Sequence, residues 1–268
     1  MSVTWLICLG LVSGAGAGLL AGLIGIGGGI VIVPVMYYGL VHVGASADQA
    51  AHVAVATSLA AIFPAALASS VGHWRAGNTD MAFLREWGPG IALGVVAAQL
   101  LAPHLRGSFM TAMFGLFTLM AAVRFAAPGR FRPLFDEPPN GNFRRVAGIG
   151  IGVVSGFAGV GGGILTNIVM VLSGVPIHKS IGRAAAVGVV VSLPATLVAA
   201  FASAPSQAAD IGSINLSMWA CIAPAQAVAA WFGARLAQRV AADNLSRVFA
   251  CALALTGAVM LRSSLGWP

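Results

Sequence analysis

Two glycine-rich runs are the part of this sequence best suited to chemistry. Gly25-Ile-Gly-Gly-Gly29 lies in the first half and Gly159-Val-Gly-Gly-Gly163 in the second, and an apolar stretch follows each. Consecutive glycines break a helix, because each costs about 1 kcal/mol relative to alanine. A helix that begins after such a break presents unpaired N–H groups and the positive end of its dipole. The chemistry predicted for both runs is therefore anion binding by main-chain amides.

The predicted anion site consists first of the glycines that close each run. They are Gly27, Gly28 and Gly29 in the first half, and Gly161, Gly162 and Gly163 in the second. A sharp turn whose amides bond to water is the alternative for both. A dinucleotide fingerprint is excluded, because no strand precedes either run and no acidic residue follows at the required distance.

Hydroxyl and amide side chains at the same depth complete the predicted site. Thr57 and Ser58 lie about seven residues into one apolar segment, and Thr166 and Asn167 lie in the first turn after the second glycine run. Buried hydroxyls commonly bond back to their own helix, which is the alternative for these. An amide in apolar surroundings needs partners, so Asn167 is the strongest candidate.

Four further polar residues are assigned to the surroundings of the site. Gln99 and Gln226 lie in apolar segments, where they either support the site or form hydrogen bonds between helices. Lys179 and Arg183 are four residues apart at the start of another segment. They form either a cationic funnel that draws in anions or an anchor at the membrane surface.

The composition requires a membrane. Apolar residues make up 59% of the 268 residues and charged residues only 8%, with a mean hydropathy of +0.93. A soluble domain carries about 25% charged residues. The net charge of +7 does not indicate nucleic acid, because the basic residues lie in short loops between apolar segments.

The apolar segments divide the chain into two halves. They cover about 4–24, 30–41, 50–72, 82–103, 107–126, 145–158, 164–175, 181–203, 217–238 and 245–263. The predicted domains are a first transmembrane repeat at 1–126, a polar cytoplasmic linker at 127–143 and a second repeat at 144–268. The segments at 30–41 and 164–175 are too short to span about 30 Å of hydrocarbon. They are either half-helices of re-entrant hairpins or full spans with uneven ends.

Charge asymmetry orients the segments. Of the 14 basic residues, all but Arg106 and Arg262 fall on one side when the segments alternate across the membrane. The positive-inside rule places that side, and the linker, in the cytoplasm and both termini outside. Each half then contains an odd number of crossings, so the predicted fold is an all-α polytopic membrane protein with two inverted repeats. Each repeat has a Gly-rich broken or re-entrant hairpin plus three transmembrane helices, eight to ten apolar segments in total.

Two strips of glycine predict where the halves meet. The glycines recur at every fourth residue, at positions 10, 14, 18 and 22 and again at 148, 152 and 156. This spacing puts them on one face of a helix and allows another backbone to approach closely. We therefore expect these faces to bring the two halves together.

Several classes of function are excluded or disfavoured. Every Asp and Glu falls in a loop or at a segment end, whereas cation carriers usually place a carboxylate within the membrane. The three cysteines have no metal-ligand spacing, so neither a metal nor a cofactor is predicted. Ser13 and Ser155 have no histidine at a comparable depth, so an intramembrane enzyme is not expected.

The motifs resemble those of a known family. Gly-x-Gly-Gly-Gly-Ile-x-x-x-Pro at 25–34, Ala-x-Ala-Thr-Ser-Leu-Ala at 54–60 and Ser180-Ile-Gly-Arg183 are similar to the TauE/SafE sulfite-exporter family of membrane permeases. The resemblance covers essentially the whole chain. It implies transport of small sulfur-containing anions such as sulfite, thiosulfate or sulfoacetate, usually as export. Pro34 has Ile168 opposite it, and the Thr-Ser pair is missing from the second half, so the two half-sites are not equivalent.

The sequence therefore predicts an exporter of sulfite or a related organosulfonate in a bacterial cytoplasmic membrane. Its expected partners are the anionic substrate and the lipid bilayer, with no nucleic acid, and a homodimer is an open alternative to a monomer. Transport of another small anion, uptake rather than export, and a membrane subunit that does not itself transport are the competing functions.

Overall fold

The protein is a bundle of helices. The computed structural model describes residues 3–25, 27–126, 140–202, 211–237 and 242–265. The helices are α1 (Val3–Ile24), α2 (Gly29–His42), α3 (Ala47–Arg75), α4 (Met81–Leu101), α5 (Gly107–Ala126), α6 (Gly141–Ala158), α7 (Gly163–Leu172), α8 (Ile177–Phe201), α9 (Leu216–Leu236) and α10 (Ala242–Ser264). No β-strand occurs in these ranges, so the all-α prediction is confirmed, and each predicted apolar segment corresponds to one helix. Most of the predicted linker 127–143 lies outside the described residues, and α6 begins within it at Gly141.

Polar caps fix where three of the long helices begin. Ser46, Asp80 and Asn215 precede α3, α4 and α9, and each side chain accepts a hydrogen bond from a main-chain amide two or three residues later. Such a bond satisfies one of the amides that a helix start leaves unpaired. By length and composition, Ala47–Arg75, His178–Phe201 and Leu216–Leu236 are the described helices suited to cross a membrane.

Helices α3 and α8 form the centre of the bundle and run antiparallel. Ala60 of α3 shares a buried cluster with Ala199, near the end of α8. Just beyond the end of α3, Thr79 donates a hydrogen bond to the carbonyl of Gly182, near the start of α8, at 3.2 Å. Below, the end of the bundle at which α3 begins is the upper end, and the opposite end is the lower end.

Helices α2 and α7 are short and begin in the middle of the bundle. Gly29 of α2 packs against Ile62, near the midpoint of α3, and α2 then runs to the upper end. Gly162, which precedes α7, packs against Val187 near the midpoint of α8, and α7 runs to the lower end. With 14 and 10 residues, the two helices are about 21 and 15 Å long. Neither could cross about 30 Å of hydrocarbon.

Helices α1 and α2 form one hairpin, and α6 and α7 form the other. The longer arm of each hairpin, α1 or α6, packs through a face of glycines. Helix α1 runs parallel to α9 from the upper end, with Gly10 against Cys221 and Gly22 against Ala234. Helix α6 runs parallel to α4 from the lower end, with Gly148 against Ile91. Each arm therefore packs on a helix of the other half of the chain, which confirms the prediction for the glycine strips. The two hairpins, α1–α2 and α6–α7, reach the centre from opposite ends.

Candidate functional site

The turn in each hairpin ends on a glycine in the left-handed region. We define tip 1 as residues 25–29 and tip 2 as residues 159–163. Gly28 and Gly162 immediately precede α2 and α7, with φ of 73° and 71°. A side chain with a Cβ strains the backbone there by about 1–2 kcal/mol, whereas glycine adopts this conformation freely. The glycines thus permit the chain to turn sharply and start a new helix inside the bundle.

Main-chain amides at both helix starts are unpaired. The first internal hydrogen bonds run from the amide of Val31 to the carbonyl of Gly28 and from the amide of Thr166 to the carbonyl of Gly162, both at 3.1 Å. Within the described ranges, the amides of Gly29 and Ile30 donate to no acceptor, and neither do those of residues 163–165. These donors, with the positive ends of two helix dipoles, make an environment that favours negative charge.

The two tips touch each other. A Cβ placed on Gly27 would lie 3.1 Å from the Cα of Gly161, and one placed on Gly161 would lie 3.3 Å from the Cα of Gly27. Ile62 of α3 packs against both glycines, and Gly188 of α8 packs behind Gly161. The tips therefore close the centre of the bundle by direct contact between main-chain atoms, with no side chain between them.

Ser58 and Thr57 form hydrogen bonds with other elements rather than with their own helix. Ser58 is buried next to Gly29, and its hydroxyl donates to the carbonyl of Gly159 at 3.0 Å. It therefore contacts both tips. The hydroxyl of Thr57 accepts a bond from the amide of Asn215 at 3.0 Å, which attaches the loop before α9 to α3. Of this predicted pair, only Ser58 lies at the junction of the tips.

Three polar side chains that flank tip 2 are buried and lack hydrogen-bond partners among the described residues. The hydroxyls of Thr166 and Ser155 are fully buried and have no hydrogen-bond partner among the described residues. Ser155 Oγ lies 3.2 Å from the position of a Cβ on Gly162. Asn167 is 6% exposed, and its side-chain amide forms no hydrogen bond within the same ranges; only its main-chain carbonyl accepts one, from the hydroxyl of Ser180 at 3.3 Å. Buried polar groups are costly without a partner, so these side chains are suited to contact a polar ligand.

Ser155 is the residue of this group that sequence reasoning did not assign to the site. It occupies the position that corresponds to Ala21 in the first half, when the two glycine runs are aligned. A hydroxyl that replaces a methyl group one turn before a glycine break is the signal that could have identified it.

The two glutamines differ in their relation to the tips. Gln226 donates through Nε2 to the carbonyl of Gly27 at 3.1 Å, and its Oε1 is buried without a partner in the described part of the chain. Gln99 donates to the carbonyl of Gly156 at 2.9 Å, which links α4 to α6. Gln226 therefore supports tip 1, whereas Gln99 forms a hydrogen bond that joins helices α4 and α6.

Lys179 and Arg183 also have different environments. Arg183 is half-buried: its guanidinium lies 3.6 Å from the carboxylate of Asp80, 4.9 Å from the ring centre of Phe83 and 3.5 Å from the sulfur of Met170. Lys179 is exposed at the lower end. Arg183 therefore acts as a bridge between α4, α7 and α8, and Lys179 is the one of the two whose charge faces solvent.

Comparisons with known proteins give a consistent assignment. The family model described as sulfite exporter TauE/SafE matches residues 10–260. A probable membrane transporter protein of Haemophilus influenzae is 30% identical over 187 residues, covering 70% of this chain and 71% of that protein. The probable membrane transporter protein YunE of Bacillus subtilis is 28% identical over 64% of this chain and 68% of its own.

A third relative is similar over most of both chains. A probable membrane transporter protein of Methanocaldococcus jannaschii is 21% identical over 251 residues, which is 91% of each chain. No solved structure shows a significant match. Because the family model covers both hairpins and both tips, this multi-pass membrane protein belongs to the TauE/SafE sulfite exporter family of membrane transporters.

Proposed function

We propose that the protein exports sulfite or a related small organosulfonate through the centre of the bundle. The anion binds to the free amides at the starts of α2 and α7, and its remaining oxygens accept hydrogen bonds from side chains near tip 2. The observation that carries this proposal is the meeting of two unpaired helix starts in the middle of the bundle. Helix starts bind anions without a charged side chain, which suits a site surrounded by lipid.

Because the tips are in contact, we interpret the described arrangement as a state in which the transport path is closed. Gly27 and Gly161 lie within van der Waals distance, so an anion cannot pass between them until the hairpins separate. Because the hairpins reach the centre from opposite ends, the movement of one opens the site toward the upper end and the movement of the other toward the lower end. Such alternating exposure is the usual operation of a secondary transporter.

Two inverted repeats account for this arrangement. The packing of α1 on α9 mirrors that of α6 on α4, and α2 and α7 run to opposite ends of the bundle. The lower end carries basic side chains that include Arg75, Arg144, Arg183 and Arg235. By the positive-inside rule the lower end faces the cytoplasm, and both termini lie on the periplasmic side.

Flux measurements with purified protein in liposomes test the function directly. We expect sulfite to move faster than sulfate, with acetate, which lacks sulfur, as the control anion. Movement of sulfonates but not sulfite would redefine the substrate within the same class. If no sulfur-containing anion moves in either direction, the proposed function is wrong, and a non-transporting subunit becomes the better explanation.

The unpaired hydroxyls near tip 2 give a prediction about affinity. Thr166→Val and Ser155→Ala remove donors that lack protein partners, and Asn167→Leu removes the neighbouring amide. Each is expected to weaken substrate binding by about 1–3 kcal/mol, the range for a hydrogen bond to a charged group. Binding is measured by isothermal titration of each variant in detergent.

A matched control separates binding from packing. Thr118 is as buried as Thr166, but its hydroxyl donates to the carbonyl of Phe114 at 2.7 Å, within its own helix α5. Thr118→Val is therefore expected to leave substrate affinity unchanged. Equal affinities in the wild type and all three tip 2 variants would place the binding site elsewhere.

The exposed charge of Lys179 predicts an effect of ionic strength. Lys179→Gln is expected to slow uptake into the site by about two- to fivefold at low salt and to have little effect at about 0.5 M salt, where charges are screened within a few ångströms. Initial rates at several salt concentrations test this. A loss that persists at high salt would instead indicate direct contact with the anion.

A further inference from the structure

His73 is an ionisable side chain in the interior of the bundle that the proposed anion site does not use. It is 2% exposed, near the lower end of α3. Among the described residues, it is the one buried side chain that ordinarily titrates near neutral pH. Ionisable groups within membrane helices are costly and usually serve transport or proton relay.

The hydrogen bonds of His73 leave one ring nitrogen free. Nε2 lies 3.1 Å from the carbonyl oxygen of Gly22. A carbonyl can only accept, so Nε2 carries the hydrogen, and in the neutral ring Nδ1 has none. Nδ1 is buried without a partner in the described part of the chain, and so is the hydroxyl of Ser69, one turn earlier on the same face of α3. Ser69 Oγ is thus placed to accept a bond from a protonated Nδ1, directly or through water.

The bond to Gly22 connects His73 to tip 1. Gly22 lies in the last turn of α1, immediately before Gly25 begins the tip. Gly25 itself packs against Ile181 and Ala184 of α8. A change in the charge of His73 therefore acts on the end of the hairpin arm that must move for the anion to pass.

Among the described residues, no carboxylate forms an ion pair with His73. Helix α1 has no charged or titratable residue from Leu9 to Gly25. His178 of α8 interacts electrostatically with His73. Within the described ranges, the other charged groups at this end are Arg75 of α3, Arg235 of α9, Lys179 of α8, Arg85 of α4 and Arg145 of α6, with the ion pairs of Arg183 with Asp80 and of Arg144 with Glu86. A protonated His73 would therefore be surrounded mainly by positive charge, and a bound anion is the group that can offset it.

A cavity at the same end of the bundle adjoins the turn of α3 that carries His73. It has a volume of about 250 Å³ and lies between α3 and α9, lined by Val71, Gly72, Arg75, Ala76, Trp231 and Arg235. Gly72 is the residue next to His73, so this cavity is where a proton from the aqueous side would approach the histidine.

We propose that His73 is a proton-binding site that couples proton movement to anion movement, with Ser69 completing the site. The inference rests on the proposed anion transport. Anion binding at the tips favours a proton on His73, and protonation of His73 favours anion binding by the same factor, because coupling between two sites is reciprocal. The proton and the anion are therefore carried together.

Proteoliposomes that contain a pH-sensitive dye test the coupling. Thiosulfate and methanesulfonate are the probes, because their own charge does not change near neutral pH. In the wild type, the interior is expected to acidify as either anion enters. His73→Gln retains a donor for the carbonyl of Gly22 but cannot titrate, so it should still pass the anion with at least about a tenfold smaller proton movement per anion. The exposed His42→Gln is the control and is expected to retain the coupling.

The outcomes separate this inference from the proposed function. Anion flux without acidification in the wild type, or full acidification in His73→Gln, would overturn the coupling alone. Absence of flux for every sulfur-containing anion would overturn the proposed function and the coupling with it. If His73→Gln does not fold, the wild type alone decides the question. Calorimetry of anion binding in buffers of different ionisation enthalpy measures how many protons are taken up per bound anion. Anion binding must then take up protons, and binding without proton uptake refutes the inference.

Discussion

Gly28→Ala is expected to abolish anion flux while leaving the protein inserted in the membrane. The left-handed backbone at Gly28 strains any residue that carries a Cβ. The added methyl group would also lie 2.7 Å from the main-chain oxygen of Ala17 and 2.5 Å from Nε2 of Gln226. Since Gln226 bonds to Gly27, relief of these contacts requires a shift of tip 1 itself. Flux in proteoliposomes and the yield of folded protein are the two measurements.

Two other glycines separate backbone strain from steric contact. Gly77 has the same φ of 73°, but no heavy atom lies within 4 Å of its added Cβ, so Gly77→Ala measures the strain alone. Gly162→Ala adds contacts of 3.0–3.2 Å with the side chains of Val191, Val187 and Ser155, which can yield more easily than a main chain. The expected order of lost flux is therefore Gly28→Ala, then Gly162→Ala, then Gly77→Ala. Full flux in Gly28→Ala would exclude tip 1 from the transport path.

Alanine on the glycine faces is expected to destabilise the whole bundle. A Cβ on Gly18 would collide with the main-chain oxygen of Gln226 and lie 2.8 Å from the Cβ of Ala229. A Cβ on Gly152 would collide with the main-chain oxygen of Ile91 and lie 2.8 Å from the amide of Val95. The neighbouring atoms belong to helix backbones, so the helices must move apart. Overpacking of this kind costs about 1–3 kcal/mol per substitution, and we expect values at the upper end of that range.

The matched controls lie on the same helices. Gly16 of α1 and Gly150 of α6 have no heavy atom within 4 Å of an added Cβ. Gly16→Ala and Gly150→Ala are expected to preserve or raise stability, because alanine favours a helix by about 1 kcal/mol over glycine. Thermal unfolding in detergent compares the four variants. Equal melting temperatures for Gly18→Ala and Gly16→Ala would contradict the close packing of α1 on α9.

Hydropathy located the helices but not their full length. The predicted segment 50–72 became α3, Ala47–Arg75, because Ser46 caps the helix before the apolar stretch and the helix continues past it. Apolar character reports where a helix meets lipid or protein, and a helix extends beyond that wherever its caps allow. The starts of the short helices α2 and α7 were predicted from a different signal. Three consecutive glycines interrupt a helix in any context.

The members of the site could be predicted only in part. The glycine tips follow from local backbone preference, and Ser58 and Thr166 follow from their depth in the segments. Which side chain faces a tip depends instead on how two halves of the chain pack together. Thr57 bonds to the amide of Asn215, far away in sequence. Ser155 is the exception, because it reaches Gly162 across the turn of its own hairpin. His73 lies at the end of a segment, where its burial by α1 cannot be foreseen from α3 alone.

The glycine-to-glycine contact at the centre has a consequence for the speed of the cycle. Each pair of heavy atoms in contact contributes only about 0.1–0.2 kcal/mol, and glycine has no rotamers that must be reset. Opening the contact between Gly27 and Gly161 therefore breaks few attractions and requires no rearrangement of interlocked side chains. This contact therefore adds little to the activation enthalpy of turnover, which is expected to come mainly from the hydrogen bonds that Gln226 and Ser58 donate to the two tips.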